Sequence, residues 1–185
     1  MPVSEIEKFC RNPEALRGLV GEAYKRTLEA SGDLLNEKFG RAEFFWSFMQ
    51  KLGLELHPDF FKDFTLERGF QLMDARGHLV YFSPNIAKFL KFPIDHVLQT
   101  PFENLFRRDP AISEMITERF IHGLQTGDVT DLARIPKHTV QQIGYEQFDY
   151  SVEFIKAYPA HFRDGVLYGF VIASNVSMDP EIDRV

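Results

Sequence analysis

Hydrophobic and polar positions follow two different periods along the chain, and the change falls near residue 65. Before it, Leu16, Val20, Ala23, Tyr24, Thr27 and Leu28 recur three and four residues apart, the spacing of one stripe along an α-helix. Asn12 is a good N-cap for that helix, and Pro13 suits its first turn. Ser31-Gly32-Asp33 breaks or weakens it, and Gly40 stops it. A second helix is predicted from Arg41 to Leu52, ended by Gly53, with Phe44, Phe45, Trp46, Phe48 and Met49 spread over much of its circumference. Pro58-Asp59 opens a short third helix carrying Phe60, Phe61 and Phe64.

From Arg68 onward the pattern predicts strands with helices between them. Residues 70–74 and 79–83 read as short strands, joined by Asp74-Ala75-Arg76-Gly77-His78, a hairpin connection in which Gly77 supplies a positive φ. Pro84 starts a helix with Ile86, Phe89 and Leu90, and Pro93-Ile94-Asp95 starts another turn. Pro110 opens a longer helix with Ile112, Met115, Ile116, Phe120 and Leu124 on one face, ended by Gly127-Asp128. Three strands are expected near 132–135, 145–157 and 166–174, with 136–144 a loop and 159–165 a turn. In the long strand Phe148, Tyr150, Val152 and Phe154 alternate with Gln147, Asp149, Ser151 and Glu153, so one face is buried. The last strand is apolar on both faces: Val166, Tyr168, Phe170 and Ile172 on one, Leu167, Val171 and Ala173 on the other. Such a strand is covered on both sides. The Phe-rich leader is one candidate cover, and a partner subunit is the other.

Composition sharpens this picture. The 185 residues are 44% hydrophobic and 26% charged, which suits one folded domain with an attached segment and excludes disorder as the main state. Nineteen Phe are many for this length, so a large core, an apolar cavity or an apolar contact face is expected. With 21 Lys and Arg against 27 Asp and Glu, the net charge of -6 argues against a nucleic-acid partner, which demands concentrated positive charge. Cys10 is the one cysteine, so neither an intrachain disulfide nor a cysteine zinc site is available. The charged N-terminus is not that of a signal peptide, and the apolar run 166–173 is too short to cross a bilayer. A cytoplasmic protein without a membrane partner is expected.

The order strand, tight turn, strand, small helices, longer helix and three strands resembles the PAS sensory domain family over residues 68–178. Three motifs carry the resemblance. Asp74-x-x-Gly77-x-Leu79-Val80-Tyr81-Phe82-Ser83-Pro84-Asn85 is similar to the family's D-x-x-G-x-[IV]-x-Y-x-S-P opening. Phe102-x-x-Leu105-Phe106 with Asp109 is similar to its F-x-x-L-x-x-P-x-D stretch, and Asp164-Gly165-Val166-x-x-Gly169 with Asn175-Val176-Ser177 to its closing D-G-x-x-x-G and D-I-T. The chain departs from the pattern at Lys91, Gln99 and Asn175, and the last departure bears on signal output through the C-terminus. The resemblance implies an α+β fold: a five-stranded antiparallel sheet with short helices on its inner face and the N-terminal helical extension, residues 1–65, capping the outer face of a sensory domain, residues 66–185. The 185-residue length leaves no room for a kinase or cyclase effector, so a sensor fragment of a larger signalling protein is an open alternative.

In the family, the space between helices and sheet holds haem, flavin, small acids or fatty molecules, or is filled by side chains. Phe70, Tyr81, Phe89, Met115, Phe120, Phe148, Tyr150 and Phe170 are the candidate lining of a pocket for a small apolar ligand. The competing reading is that these rings interdigitate and leave no cavity. No cofactor is assigned; His122 on the long helix is a weak candidate for a haem ligand, in the alternative of a haem-based gas or redox sensor, and no other metal site is expected. Cys10 lies far from the small helices, which argues against cysteine-linked flavin photochemistry. No phosphate-cradling loop, H-E-x-x-H or nucleophile with its base is found, so a non-enzymatic module is expected. Leu16, Val20, Phe44, Phe45, Trp46 and Phe48 are the candidate interface for a homodimer, and a client signalling protein is the other partner considered.

Overall fold

The computed structural model describes residues 45–46, 49–50, 53–63 and 68–178, the side chains of Phe61 and Asp63 excepted. Its elements are β1 (Leu54–Leu56), α1 (Phe60–Asp63), β2 (Gly69–Asp74), β3 (Leu79–Phe82), α2 (Pro84–Ala87), α3 (Ile94–Gln99), α4 (Phe102–Leu105), β4 (Phe106–Arg107), α5 (Pro110–Thr126), a 3-10 helix (Thr130–Arg134), β5 (His138–Gln142), β6 (Asp149–Phe162) and β7 (Leu167–Met178). The fold is α+β, with one curled antiparallel sheet in the order β3-β2-β7-β6-β5-β4 and β1 paired to the far end of β6. The sheet has seven strands rather than five. The two unforeseen strands, β1 and β4, are three and two residues long, too short for a period to declare itself.

The β2–β3 turn forms as the residue types dictate. Gly77 has φ 78°, and Asp74 Oδ1 accepts hydrogen bonds from the backbone N–H of Arg76 and of His78, both at 2.9 Å. α5 also begins and ends where its residues require. Asp109 caps it, accepting from Ala111 N at 2.9 Å and Ile112 N at 3.4 Å, with Pro110 in the first turn. Gly127 closes it in the left-handed region at φ 76°. Ile112, Met115, Ile116, Phe120 and Leu124 pack on the core as their spacing predicts.

Three expectations fail for identifiable reasons. Residues 130–134 form a 3-10 helix, not a strand: Asp128 Oδ1 accepts from Thr130 N, and Leu132 and Ile135 are both buried at the three-residue spacing that a 3-10 turn makes coincident. The third strand is β5 instead, inside the segment expected to be a loop, because its buried positions include His138 and Gln142 and so lack an apolar signature. The final turn lies later than expected, since β6 continues through Pro159 to Phe162.

The register assigns the faces. Phe154 pairs with Ser174, whereas Lys156 pairs with Ala173, so Ile155 is an extra residue that exchanges the faces of β6. Tyr150, Val152 and Phe154 lie on the inner face before it; Tyr158 and Ala160 lie on the outer face after it. The outer face is filled by rings. Phe45, in the N-terminal segment, sits 4.8 Å from Phe70 and 4.7 Å from Tyr81 between ring centroids, and Phe60 meets Phe70 and Tyr158 edge-on at 5.9 Å each. Phe45, Phe60 and Met49 are 0% exposed and belong to the same core as β2 and β7.

Candidate functional site

The inner face is not filled. Two adjoining hollows lie between it and the helices. The inner one, about 50 Å3, is lined by Gln71 of β2, Ile86, Phe89, Leu90, Val140 and Gln142 of β5, Tyr150, Val152 and Phe154 of β6, and Ser174 and Val176 of β7. The outer one is a cleft of about 370 Å3 beneath α5, lined chiefly by Met73, Gly77, Ser113, Ile116, Phe120, Leu124, Phe154 and Ile172. Phe102, Phe106, Arg108 and Phe154 border both. The cleft falls in the ordinary size range of small-molecule sites.

Local structure aims polar groups into this apolar space. β4 pairs with β5, Phe106 opposite Gln142 and Arg107 opposite Gln141. Extended backbone turns alternate residues to opposite sides, so Phe106 and Arg108 both face the hollows while Arg107 points out, 63% exposed, near Glu146. Gln142, 1% exposed, braces the wall: its Nε2 donates to Phe89 O and its Oε1 accepts from Lys91 N, both at 2.7 Å. The turn end is braced as well, since Phe102 N donates to Gly77 O at 2.8 Å.

Four polar atoms on this face are buried without a hydrogen-bond partner: Arg108 Nε, Tyr150 OH, Ser174 Oγ and His138 Nε2. Burial pushes the Arg108 guanidinium down to about 10, and the Phe102 ring lies 4.5 Å from the guanidinium carbon. His138 is lowered from its ordinary 6.5, first by burial; a hydrogen bond to Pro136 O at 2.8 Å opposes the shift and the Arg108 charge adds to it. Its neutral ring therefore keeps the proton on Nδ1, which donates to Pro136 O, and its edge packs on Phe154.

The expected pocket residues divide between the two faces. Phe89 and Tyr150 line the inner hollow and Phe120 the cleft; Phe170 is fully buried and meets Phe120 edge-on at 5.2 Å. Met115 packs partly buried on the core, and Phe148 lies under the Lys91 ammonium at 4.8 Å, both outside the two linings. Phe70 and Tyr81 are corrected: they lie on the opposite face, stacked at 14° within the outer ring cluster, because Phe70 pairs with Ala173 and Tyr81 with Leu72. Phe45 is corrected too: it is fully buried in its own chain's core and offers nothing to a partner, while Trp46 is partly buried. Leu16, Val20, Phe44 and Phe48 lie outside the described residues. His122 is exposed on α5 and lines neither hollow, and His96 packs on Phe92.

Arg108, Gln142, Ser174 and His138 were not anticipated. The one available signal was Phe106-Arg107-Arg108, where strand alternation turns one arginine in and one out. Among the described residues, no group of three or more His, Cys, Asp or Glu is placed to hold a metal, and no helix is long and apolar enough to cross a membrane. No family model matches the chain, and no curated protein matches it. Among solved structures, the sensor region of a sensor histidine kinase is similar at a TM-score of 0.36 and 19% identity, over 58% of this chain. The chain spans 38% of that structure's length.

Proposed function

We propose that the chain is a non-enzymatic sensory module of the PAS type, which acts in signal transduction by holding a small molecule between the inner face of its sheet and α5. One observation carries the reading: the outer face is packed with rings, whereas the inner face leaves a hollow lined with apolar side chains and unpaired polar heads. A region that existed only for stability would fill that space or pair those atoms. The strand order β3-β2-β7-β6-β5 supports the family reading, since it returns the first hairpin beside the last strand. Ligand binding would shift the balance between arrangements of the helices over the sheet, and the N-terminal segment would pass that shift to a second copy or a client protein.

Thermal unfolding against a panel of small anionic, cationic and neutral organic molecules tests the reading. A true ligand at a hundredfold its Kd adds about 2.7 kcal/mol, a rise of roughly 5–10 °C for a domain of this size. A panel flat within about 1 °C would count against it.

A further inference from the structure

We propose that Arg108 receives the head of a small organic monocarboxylate whose apolar body lies in the cleft beneath α5. This rests on the inner face being a ligand site and names the class of ligand.

Arg108 is a cation in the wrong company. It is half-buried with its Nε enclosed and unpartnered, it borders both hollows, and among the described residues no carboxylate pairs with it. Burying a guanidinium without a counter-charge is costly, and one aromatic face returns only part of that cost. The planar fork of arginine matches a carboxylate with two parallel hydrogen bonds, so an incoming carboxylate supplies what the fold omits.

The charge balance sets the valence. The charged residues around the two hollows are Arg76, Arg108 and the exposed Glu103. Arg76 and Glu103 are both exposed to solvent, so the one charge held against the apolar walls is that of Arg108, and one negative charge neutralises it. A phosphomonoester dianion would leave surplus negative charge among Phe102, Phe106 and Phe154, and the second carboxylate of a diacid would meet Glu103. The body follows from the cleft's walls: Met73, Ile116, Phe120 and Ile172 offer apolar contact in about 370 Å3.

The experiment is calorimetric titration of hexanoate and hexan-1-ol, a neutral probe of the same chain length, into the wild-type chain, Arg108→Gln and Arg108→Lys. Wild type is expected to bind hexanoate at least about tenfold tighter than the alcohol. Arg108→Gln is expected to lose about 10–100-fold for hexanoate and less than about threefold for the alcohol, with Arg108→Lys between. If wild type binds acid and alcohol equally, the carboxylate assignment is overturned and the ligand cavity stands. If neither probe binds and the thermal panel is also flat, the cavity reading falls with it. Should Arg108→Gln not fold, Arg108→Lys and the acid-to-alcohol ratio of wild type decide; an unchanged ratio in Arg108→Lys overturns the bidentate role.

Discussion

Asp74 shows how much one side chain can hold. It is 1% exposed, and a single oxygen accepts two backbone N–H groups of the β2–β3 turn. Asp74→Ala strands both donors and is expected to lose about 2–3 kcal/mol in chemical denaturation, with Asp74→Asn losing about half of that. Gly169 leaves no room for a side chain: an added Cβ would sit 2.0 Å from Met73 O and 2.8 Å from Asp74 Cα. Both are backbone atoms, so Gly169→Ala must part β2 from β7 and is expected to abolish the cooperative unfolding transition. Gly77→Ala meets nothing within 4 Å but places a side chain at φ +78°, and should cost only about 1–2 kcal/mol. His138 adds a pH dependence of definite sign. Its folded value lies below the ordinary 6.5, so the unfolded chain binds the extra proton as pH falls. Its contribution is complete above about 6.5 and is lost as pH drops through the depressed folded value. Wild type should therefore lose more stability than His138→Gln between about pH 7 and 5 in parallel urea titrations. Asp74 and Gly77 were legible in the sequence because turn chemistry is local. Arg108 and His138 were not, because charged and polar residues are read as solvated until a register places them.

At the scale of elements, apolar period decided what could be read. α5 carries a strong period and β2, β3 and β7 are apolar runs between turn signals, and all four emerged near their observed bounds. β5 was hidden because two of its inward positions, His138 and Gln142, are polar. The extra residue at Ile155 moved nothing at its own position, yet it exchanged the faces of everything after it in β6. In β2 and β3 both faces are apolar, so nothing local told them apart, and Phe70 and Tyr81 were expected in the pocket, when pairing across β2 and β7 puts them behind the sheet. The consequence is testable at the leader. Phe45→Ala removes the ring wedged between Phe60, Phe70 and Tyr81 and is expected to cost about 3–5 kcal/mol of unfolding free energy. A loss under about 1 kcal/mol would show that the leader does not cover the sheet in solution.

At the scale of the whole molecule, the two faces differ: the outer one is packed with rings, and the inner one leaves the hollows in which we propose that a ligand is held. The need to cover both sides of β7 was legible, because a doubly apolar strand must be covered. The family resemblance implied a pocket on the helix side of the sheet; which side chains line it was not legible, since only the register brings Arg108, Tyr150 and Ser174 together. Native mass spectrometry of the chain incubated with a small-metabolite extract measures the central claim most directly, with Ser113→Trp, which fills the cleft from α5, as its control. Wild type is expected to gain the mass of a small organic molecule that is shed on collisional activation, and Ser113→Trp to remain bare. A bare wild-type chain, or the same adduct on both, would contradict the account.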